Sequence, residues 1–495
     1  MTIFSKKNFL SFTVLAFLYI GVLTVLRLWF CAQFDLIGDE AYYWLWSKHL
    51  DLSYFSKGPA VAWFIALGTR LAGDTVPGVR LPSVLLAAGT GVLMFRLARA
   101  LFSEKIAFWS VILASMIPLF MIGGLLMTID PISVFFWALA AWLFWKNKDA
   151  PSPLAWATTG LAVGLGMLGK YTNIAQLVCF GLFCWWSPSL RRKWPHFLVM
   201  TVVALLCLTP VLIWNMQHGW VTSHHLVHRG ALDESWRFSA SELFDFLWSQ
   251  YIVFNPLFAI GLLWGFASMR AEQLKSDSYR YLFCLFFPLL VFFSALSLNK
   301  AGQANWAAPS WFAGVILLAA LWTERVTNYK WAKPTAAVAL SLSAIFFVAA
   351  HMMILVPVPN LIPSVKKDPL RRLRGAADIA RQTAEAQDRL GASFLIANKY
   401  SQASLLAFYH PRRPTTYVVT HEGLQNQFSL WPGYSGHYPE GASAIYLSDS
   451  TEIPPQLKKE FASVELFRET FSMHQNRPLY KFYLFHCRGF HSMTR

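Results

Sequence analysis

Apolar residues form long, nearly uninterrupted runs through the first three quarters of the chain. The first run, from Phe9 to Phe30, follows Lys6 and Lys7 and is too long for the core of a signal peptide. It therefore predicts a helix that remains in the protein. Because a spanning helix needs about 20 mostly apolar residues, ten later runs predict further spans, at 79–101, 106–125, 132–145, 153–169, 173–187, 196–214, 247–269, 280–298, 305–323 and 333–356.

Basic residues between these runs alternate from loop to loop. If the N-terminus lies in the cytoplasm, every short loop assigned to that side carries Lys or Arg, which is the charge bias that insertion produces. The remaining loops are longer and rich in Trp, Tyr and His. The pattern predicts a polytopic α-helical protein with about eleven spans, its N-terminus inside and its C-terminus outside.

Composition supports a membrane protein. Of the 495 residues 56% are hydrophobic and 14% are charged, whereas soluble domains contain roughly 25% charged residues. The net charge of +16 does not indicate nucleic acid, because no basic stripe with interleaved aromatics occurs; membrane lipids are the expected partners. The six cysteines form no CxxC pair, so neither a zinc site nor a disulfide framework is predicted.

The composition changes near residue 360, beyond which charged residues are about as frequent as in soluble domains. We therefore predict a transmembrane domain over residues 1–360, including a first outer loop at 31–78, and a soluble outer α/β domain over 361–495. Alternating elements are typical of that class. They are helices at Leu373–Leu390 and Gln402–Tyr409 and strands at Phe394–Ala397, Tyr417–Thr420, Ala444–Leu447 and Tyr480–Phe485.

The first outer loop carries an adjacent acidic pair, Asp39 and Glu40, followed by aromatic residues at helical spacing. One interpretation is an amphipathic helix anchored in the membrane interface, with Asp39 as its N-cap. The other is a functional site, since an ionisable residue beside a membrane segment is costly unless it is used.

Several short motifs occur in one order along nearly the whole chain. Together they resemble the GT-C glycosyltransferases of the protein O-mannosyltransferase superfamily, in particular the bacterial branch that includes aminoarabinose and galacturonosyl transferases acting on lipid A. The motifs are Asp39-Glu40, Tyr54–Pro59, Arg80-Leu81-Pro82, Met127–Pro131, Gly169-Lys170-Tyr171, Trp214–Trp220, Asn305–Pro309 and Ala407–Tyr409.

The resemblance implies a GT-C enzyme of the bacterial inner membrane with its active site and C-terminal domain in the periplasm. Such an enzyme moves a sugar from a polyprenyl-phosphate donor, such as undecaprenyl phosphate, to lipid A or another envelope glycolipid. A protein acceptor, as in protein O-mannosyltransferases, is the alternative within the superfamily. A lipid or sugar transporter is the alternative outside it, but we find no internal repeat of the kind common in transporters.

Three acidic residues are the catalytic candidates. Asp39 suits a general base toward an acceptor hydroxyl, or an orienting group if the acceptor is itself a phosphate. Glu40 is a secondary candidate with a structural role as its alternative. Asp130 matches the family's second acidic position, and its alternative is the N-cap of the following helix.

Hydroxyl and cationic residues on the outer side are candidates for binding the donor phosphate: Tyr54, Lys57, Lys170, His224 and Arg229. Related aminoarabinose enzymes have Glu before the lysine where this chain has Ser56, which argues against aminoarabinose as the sugar. His224 and His228 have i, i+4 spacing, but no Cys or paired acid completes a zinc site. We expect no required cofactor, and a divalent cation stays an open alternative.

Overall fold

The computed structural model describes residues 11–230, 233, 235–355, 370–419, 425–475 and 477–491. Its contacts divide the chain into two units. The helical unit comprises Met1–Trp29, Ser83–Trp214 and Leu226–Ala349, and the α/β unit comprises Phe30–Pro82, Asn215–His225 and Ala350–Arg495. The first outer loop thus packs with the C-terminal region. The domain boundary predicted at residue 360 stays a prediction, because it lies outside the described residues, as do Lys6 and Lys7.

The helices of the first half are α1 (Phe12–Phe30), α2 (Gly38–Lys48), α3 (Ala60–Ala72), α4 (Val76–Leu101), α5 (Glu104–Ser115), α6 (Pro118–Gly123), α7 (Ile129–Asn147), α8 (Pro153–Gly169), α9 (Ala175–Trp186), α10 (Trp194–Leu206), α11 (Thr209–Gln217) and α12 (Val221–Arg229). The helices that follow are α13 (Ala240–Val253), α14 (Pro256–Ala267), α15 (Ala271–Lys275), α16 (Asp277–Leu296), α17 (Ala308–Asn328) and α18 (Ala332–Leu355).

Among the described residues, six helical segments are long and apolar enough to cross a membrane alone: α1, α4, α7, Arg191–Gln217, α16 and α18. The bent pair of α13 and α14 makes a seventh if it is counted as one span. Helices occupy all the predicted spans, but several are short or broken. The chain is a multi-pass membrane protein, while the count of eleven spans and the orientation stay predictions.

The predicted continuous span at 247–269 is wrong. Helices α13 and α14 meet there at an angle of 105°. Asn255 breaks the run with a backbone φ of +80°, which is uncommon for a residue other than glycine. Its side chain accepts a hydrogen bond from the Leu257 amide at 3.1 Å and Pro256 follows it, so this residue starts a new helix instead of continuing the old one.

Helix α17 lies at the centre of the helical unit. Nearly all of its residues from Ala308 to Leu321 are buried, and a helix that is apolar on all sides is suited to that position. Hydrogen bonds fix its beginning: Trp311 Nε1 donates to Gln250 Oε1 at 2.9 Å, and Gln250 Nε2 donates to the Ala304 carbonyl at 3.0 Å. The residues just before α17 are therefore held firmly.

A five-stranded mixed sheet forms the core of the α/β unit. The strands β1 to β3 are parallel, β5 pairs antiparallel with both β3 and β4, and the order is β2-β1-β3-β5-β4. Side chains alternate between two buried faces, so every residue of β1 is buried. The elements are α19 (Ala376–Leu390), β1 (Phe394–Ala397), α20 (Tyr400–Tyr409), β2 (Thr416–Val418), β3 (Ala444–Ser448), α21 (Pro455–Glu460), β4 (Phe461–His474) and β5 (Arg477–Phe490).

The α/β class is confirmed in the described residues, with one strand unforeseen. Strand β4 carries several charged residues, including Glu465, Arg468 and Glu469, and its side chains are mostly half-exposed or exposed. Edge strands commonly carry such charges. The sequence pattern there lacks the apolar run that identified the other strands.

Candidate active site

The first turn of α2 carries the acidic pair. Ile37 occupies the N-cap position, and its amide donates to Glu40 Oε2 at 3.1 Å. Asp39 therefore does not cap this helix, and the predicted N-cap role is wrong. The position of the helix in the membrane interface stays a prediction. Two carboxylates in a first turn are stabilised by the positive end of the helix dipole.

Glu40 is locked by Arg80, which lies forty residues later on α4. The guanidinium donates from Nε to Oε1 at 2.8 Å and from Nη2 to Oε2 at 2.6 Å, and both side chains are completely buried. Arg80 also donates to the carbonyls of Cys31 and Phe34. Such a bidentate buried pair fixes the loop to α4. This geometry favours the structural alternative for Glu40, and its catalytic role stays a prediction.

Asp39 is placed differently, although it adjoins Glu40. Its side chain is exposed, and the Tyr400 hydroxyl donates to Oδ1 at 3.2 Å. Tyr400 begins α20, which approaches α2 closely at Gly38: a Cβ there would lie 2.5 Å from the Cβ of Ser401. The glycine thus permits the contact that brings the Tyr400 hydroxyl to the carboxylate.

A buried aromatic group supports this contact. The rings of Tyr42 and Tyr400 lie 4.5 Å apart between centroids, and the Tyr42 hydroxyl accepts a hydrogen bond from the Gln427 amide at 2.6 Å. Burial raises the pKa of Tyr42 above its ordinary value, so this hydroxyl stays neutral. The Gln427 side chain accepts from the Phe55 amide at 2.7 Å, which ties the first loop to the C-terminal region twice.

Tyr54 is completely buried, and its ring stacks on Trp46 at 4.3 Å. Its hydroxyl donates to the carbonyls of Trp46 and His49 and accepts from the Asp51 amide. These hydrogen bonds with the backbone hold the Tyr54 hydroxyl within the loop, and its predicted contact with the donor phosphate stays a prediction. Lys57 follows in the same turn and is half-buried.

Two predicted phosphate ligands lie on α12. Both His224 and Arg229 are exposed, and the Arg229 guanidinium donates to Gln303 Oε1 at 2.9 Å within the helical unit. His224 belongs to the α/β unit, so the predicted pair is divided between the two units. The described residues contain no group of three or more His, Cys, Asp or Glu side chains placed to hold a metal ion.

A second acidic site lies in the helical unit, at the start of α7. Lys170 Nζ donates to Asp130 Oδ1 at 2.8 Å, and Asn305 Nδ2 donates to Asp130 Oδ2 at 2.7 Å. Lys170 also donates to the Asn305 carbonyl at 2.8 Å. The lysine is 8% exposed. The Lys170 ammonium is paired with Asp130 in this structure, and its predicted role as a phosphate ligand stays a prediction.

Thr128 occupies the N-cap position of α7, and its hydroxyl accepts from the Asp130 amide at 3.3 Å. Asp130 is therefore in the first turn and is not the cap that the sequence left as its alternative. Its two oxygens close a triangle of hydrogen bonds with Lys170 and Asn305.

Sequence reasoning missed the roles of three residues. Arg80 and Asn305 stand inside motifs that it quoted, but their carboxylate partners are distant in sequence. Tyr400 lies 361 residues from Asp39, and no local pattern indicates that pairing. Arg27 is a further residue that the sequence analysis did not select. It is buried in α1, and a charged residue inside an apolar run is itself an indication of a functional site.

Sequence comparison identifies glycosyltransferases that are similar to this chain. A family model described as "Dolichyl-phosphate-mannose-protein mannosyltransferase" matches residues 56–214. The lipid A galacturonosyltransferase RgtD of Rhizobium johnstonii is 26% identical over 86% of this chain and 89% of its own length. The undecaprenyl phosphate-alpha-4-amino-4-deoxy-L-arabinose arabinosyl transferase of Pseudomonas aeruginosa is 28% identical, but over only 45% of this chain and 37% of its own length.

Structural comparison identifies two proteins with a similar fold. ArnT from Cupriavidus metallidurans, solved with undecaprenyl phosphate, superimposes with a TM-score of 0.65 at 16% identity, covering 94% of this chain and 97% of that one. The Archaeoglobus fulgidus oligosaccharyltransferase superimposes with a TM-score of 0.53 at 12% identity, covering 89% of this chain and 68% of that one. At such low identity these likenesses show the fold, and the predicted GT-C fold is confirmed.

This chain therefore has the GT-C membrane fold. Its sequence is similar to those of glycosyltransferases, along most of its length in the case of RgtD.

Proposed function

We propose that this enzyme transfers a sugar from a polyprenyl-phosphate carrier to lipid A or another envelope glycolipid, on the periplasmic face of the bacterial inner membrane. The observation that carries the proposal is the state of Asp39: an exposed carboxylate, held at one oxygen by Tyr400, on a helix that Glu40 and Arg80 fix in place. Its other oxygen makes no hydrogen bond to the described residues and is available to an acceptor.

Asp39 acts as the general base when the acceptor is a hydroxyl. It accepts the proton as the acceptor oxygen forms its bond to the anomeric carbon, while the bond from that carbon to the carrier phosphate breaks and the phosphate departs with the electron pair. When the acceptor is a phosphate, no base is needed, and Asp39 instead stabilises the positive charge that develops on the sugar.

Lys57 supplies positive charge to the departing phosphate in this proposal. A cation that interacts more strongly as the leaving group gains charge lowers the barrier, not only the binding energy. The lysine follows the buried Tyr54 turn, whose backbone hydrogen bonds hold it in a defined position: the Tyr54 amide donates to the Lys57 carbonyl at 3.1 Å.

The lipid acceptor and the carrier are supported by the relatives. RgtD, which matches along most of the chain, is a lipid A galacturonosyltransferase. The likeness to the aminoarabinose transferase is limited to less than half of this chain, and Ser56 replaces the glutamate those enzymes carry before the lysine. We therefore propose a sugar other than aminoarabinose.

The test is transfer by the purified protein in liposomes. Undecaprenyl-phosphate donors that carry a hexuronic acid, a neutral hexose or a 4-amino pentose are each supplied with lipid A or, in a parallel reaction, with a peptide that contains Ser and Thr. The masses of the products are measured by mass spectrometry. We expect a mass gain of one sugar on lipid A with the first or second donor. Transfer to a peptide instead of lipid A would favour the protein-acceptor alternative, and no transfer from any carrier would overturn the proposal.

A further inference from the structure

A small cavity inside the helical unit contains a charge that has no counterpart. Its volume is about 80 Å³, and it lies among α1, α4, α5, α6 and α7. The lining is mostly apolar, with Ile20, Leu23, Met94 and Val111 among its residues. Arg27 and Asp130 are the charged residues that line it.

Arg27 is only 7% exposed, and its guanidinium packs against Gly124. In the part of the chain that the structure describes, this side chain makes no hydrogen bond and no ion pair. A guanidinium carries five N–H donors, and burying such a charge without a partner is strongly unfavourable. Inside a membrane-spanning bundle an unsatisfied cation is a candidate for ligand binding.

The other polar groups of the cavity do not neutralise Arg27. The two carboxylate oxygens of Asp130 accept hydrogen bonds from Lys170 and Asn305. The ion pair of Asp130 with Lys170 therefore adds no net charge. The hydroxyls of Thr24, Thr90 and Ser115 donate to backbone carbonyls of their own helices, at 2.7 to 2.8 Å. The cavity therefore has one net positive charge and unused donors.

We propose that this cavity binds the phosphate of an isoprenoid phosphate, with Arg27 as the ligand of the phosphate oxygens. A guanidinium matches phosphate with two parallel N–H donors. A cavity of about 80 Å³ has room for several water-sized atoms, at roughly 10–15 Å³ each, which is enough for a phosphate group. The apolar residues beside Arg27 suit the first carbons of the chain.

Residue positions also give the ligand a direction. Arg27 and Thr24 lie near the C-terminal end of α1, and Ile20 and Leu23 lie one or two turns earlier on the same helix. With the phosphate at Arg27, the isoprenoid chain runs along α1 toward its N-terminal end. This inference rests on the proposed function, since its ligand is the lipid carrier named there. Arg27 lies in the helical unit and Lys57 in the α/β unit, so the cavity is a carrier site in addition to the one at Lys57.

The experiment measures binding of undecaprenyl phosphate to the full-length protein in nanodiscs. Inorganic phosphate, phosphatidylglycerol and undecaprenol are the comparison probes. We compare the wild type with Arg27→Gln, Arg27→Lys and the control Arg96→Gln, whose arginine is exposed and lies over the Trp142 ring. Arg27→Gln should weaken undecaprenyl phosphate binding about tenfold or more, as expected when a charge-assisted hydrogen bond is lost, and Arg96→Gln should leave it unchanged.

A second variant keeps the test decisive if Arg27→Gln does not fold. A Cβ at Gly124 would lie 2.7 to 3.0 Å from atoms of the guanidinium, so Gly124→Ala displaces the group without removing its charge. It should weaken undecaprenyl phosphate binding as well.

Each outcome separates the two proposals. A wild type that does not bind undecaprenyl phosphate overturns the proposed function. A wild type that binds while Arg27→Gln and Gly124→Ala bind equally well overturns the role of Arg27 alone. Two further outcomes would show that an isoprenoid phosphate is not the ligand of Arg27. In the first, binding of inorganic phosphate or phosphatidylglycerol weakens in Arg27→Gln as much as binding of undecaprenyl phosphate does. In the second, undecaprenol binds as tightly as undecaprenyl phosphate.

Discussion

Asp39 and Asp130 are both catalytic candidates in the sequence analysis, but the structure places them in different surroundings. In the helical unit both oxygens of Asp130 are engaged, by a buried lysine and an asparagine. In the α/β unit Asp39 is exposed, and Tyr400 holds only one of its oxygens. A carboxylate that is already neutralised organises its neighbours, whereas one with an unused oxygen can accept a proton or orient an acceptor. We therefore propose that Asp39 takes part in the chemistry and that Asp130 has a positioning role.

The largest expected effect is on turnover, from Asp39→Asn. Removing a general base typically costs about 10²–10⁴-fold in rate. Because Asp39 is exposed, the free energy of unfolding should change by no more than about 0.5 kcal/mol. Transfer rates and thermal unfolding measured together check both statements. Asp51→Asn, which changes another exposed acid of the same loop, is the matched control and should transfer normally.

Asp130→Asn should act mainly on stability. The substitution leaves Lys170 buried without its counter-charge. Loss of one partner of a buried ion pair lowers the free energy of unfolding by about 3–5 kcal/mol, so the melting temperature should fall clearly. The double variant Asp130→Asn/Lys170→Gln should recover part of the loss. Asp149→Asn is the control, because its pair with Lys148 is formed by a 70% exposed aspartate and such pairs contribute about 0–1 kcal/mol. An unchanged melting temperature in Asp130→Asn would contradict our assignment of a structural ion pair.

Tyr400→Phe should have an intermediate effect on the rate. It removes the hydrogen bond to Asp39 Oδ1 but keeps the ring that packs on Tyr42. We expect kcat/KM to fall about tenfold, the value of a hydrogen bond to a charged group. In the Asp39→Asn background the same change should add little. If Tyr400→Phe lowered kcat/KM by the same factor in the wild type and in Asp39→Asn, the tyrosine would act independently of Asp39.

The smallest expected effect is the pH dependence contributed by Asp74 in the α/β unit. Burial acts to raise the pKa of this carboxyl, but hydrogen bonds from Lys48 and Trp44 outweigh it and hold the pKa below its ordinary value. The folded state therefore binds the proton less readily, so this stabilisation is complete above about pH 4 and is lost as the pH falls through the folded-state pKa. Acid unfolding of Asp74→Asn should be less steep than that of the wild type; identical curves would show that Asp74 contributes nothing.

Local pattern accounts for what the sequence could predict. Strand β1 was predicted at its observed bounds and α20 within two residues, because apolar runs and periodicity are local signals. The break at Asn255 was missed because apolar residues flank it on both sides and form one long run, although Asn followed by Pro is a usable signal for the start of a helix. Candidate residues were found through motifs, yet their roles depend on partners such as Arg80 for Glu40 and Tyr400 for Asp39, which only the fold brings together.

The most direct test of the central claim compares single-turnover sugar transfer by Asp39→Asn and Asp130→Asn, each corrected for its folded fraction and saturated with donor. Our account predicts that folded Asp39→Asn transfers at least about tenfold more slowly than folded Asp130→Asn, because a general base contributes about 10²–10⁴-fold to the rate. Equal rates, or a slower Asp130→Asn, would show that Asp39 is not the reacting carboxylate.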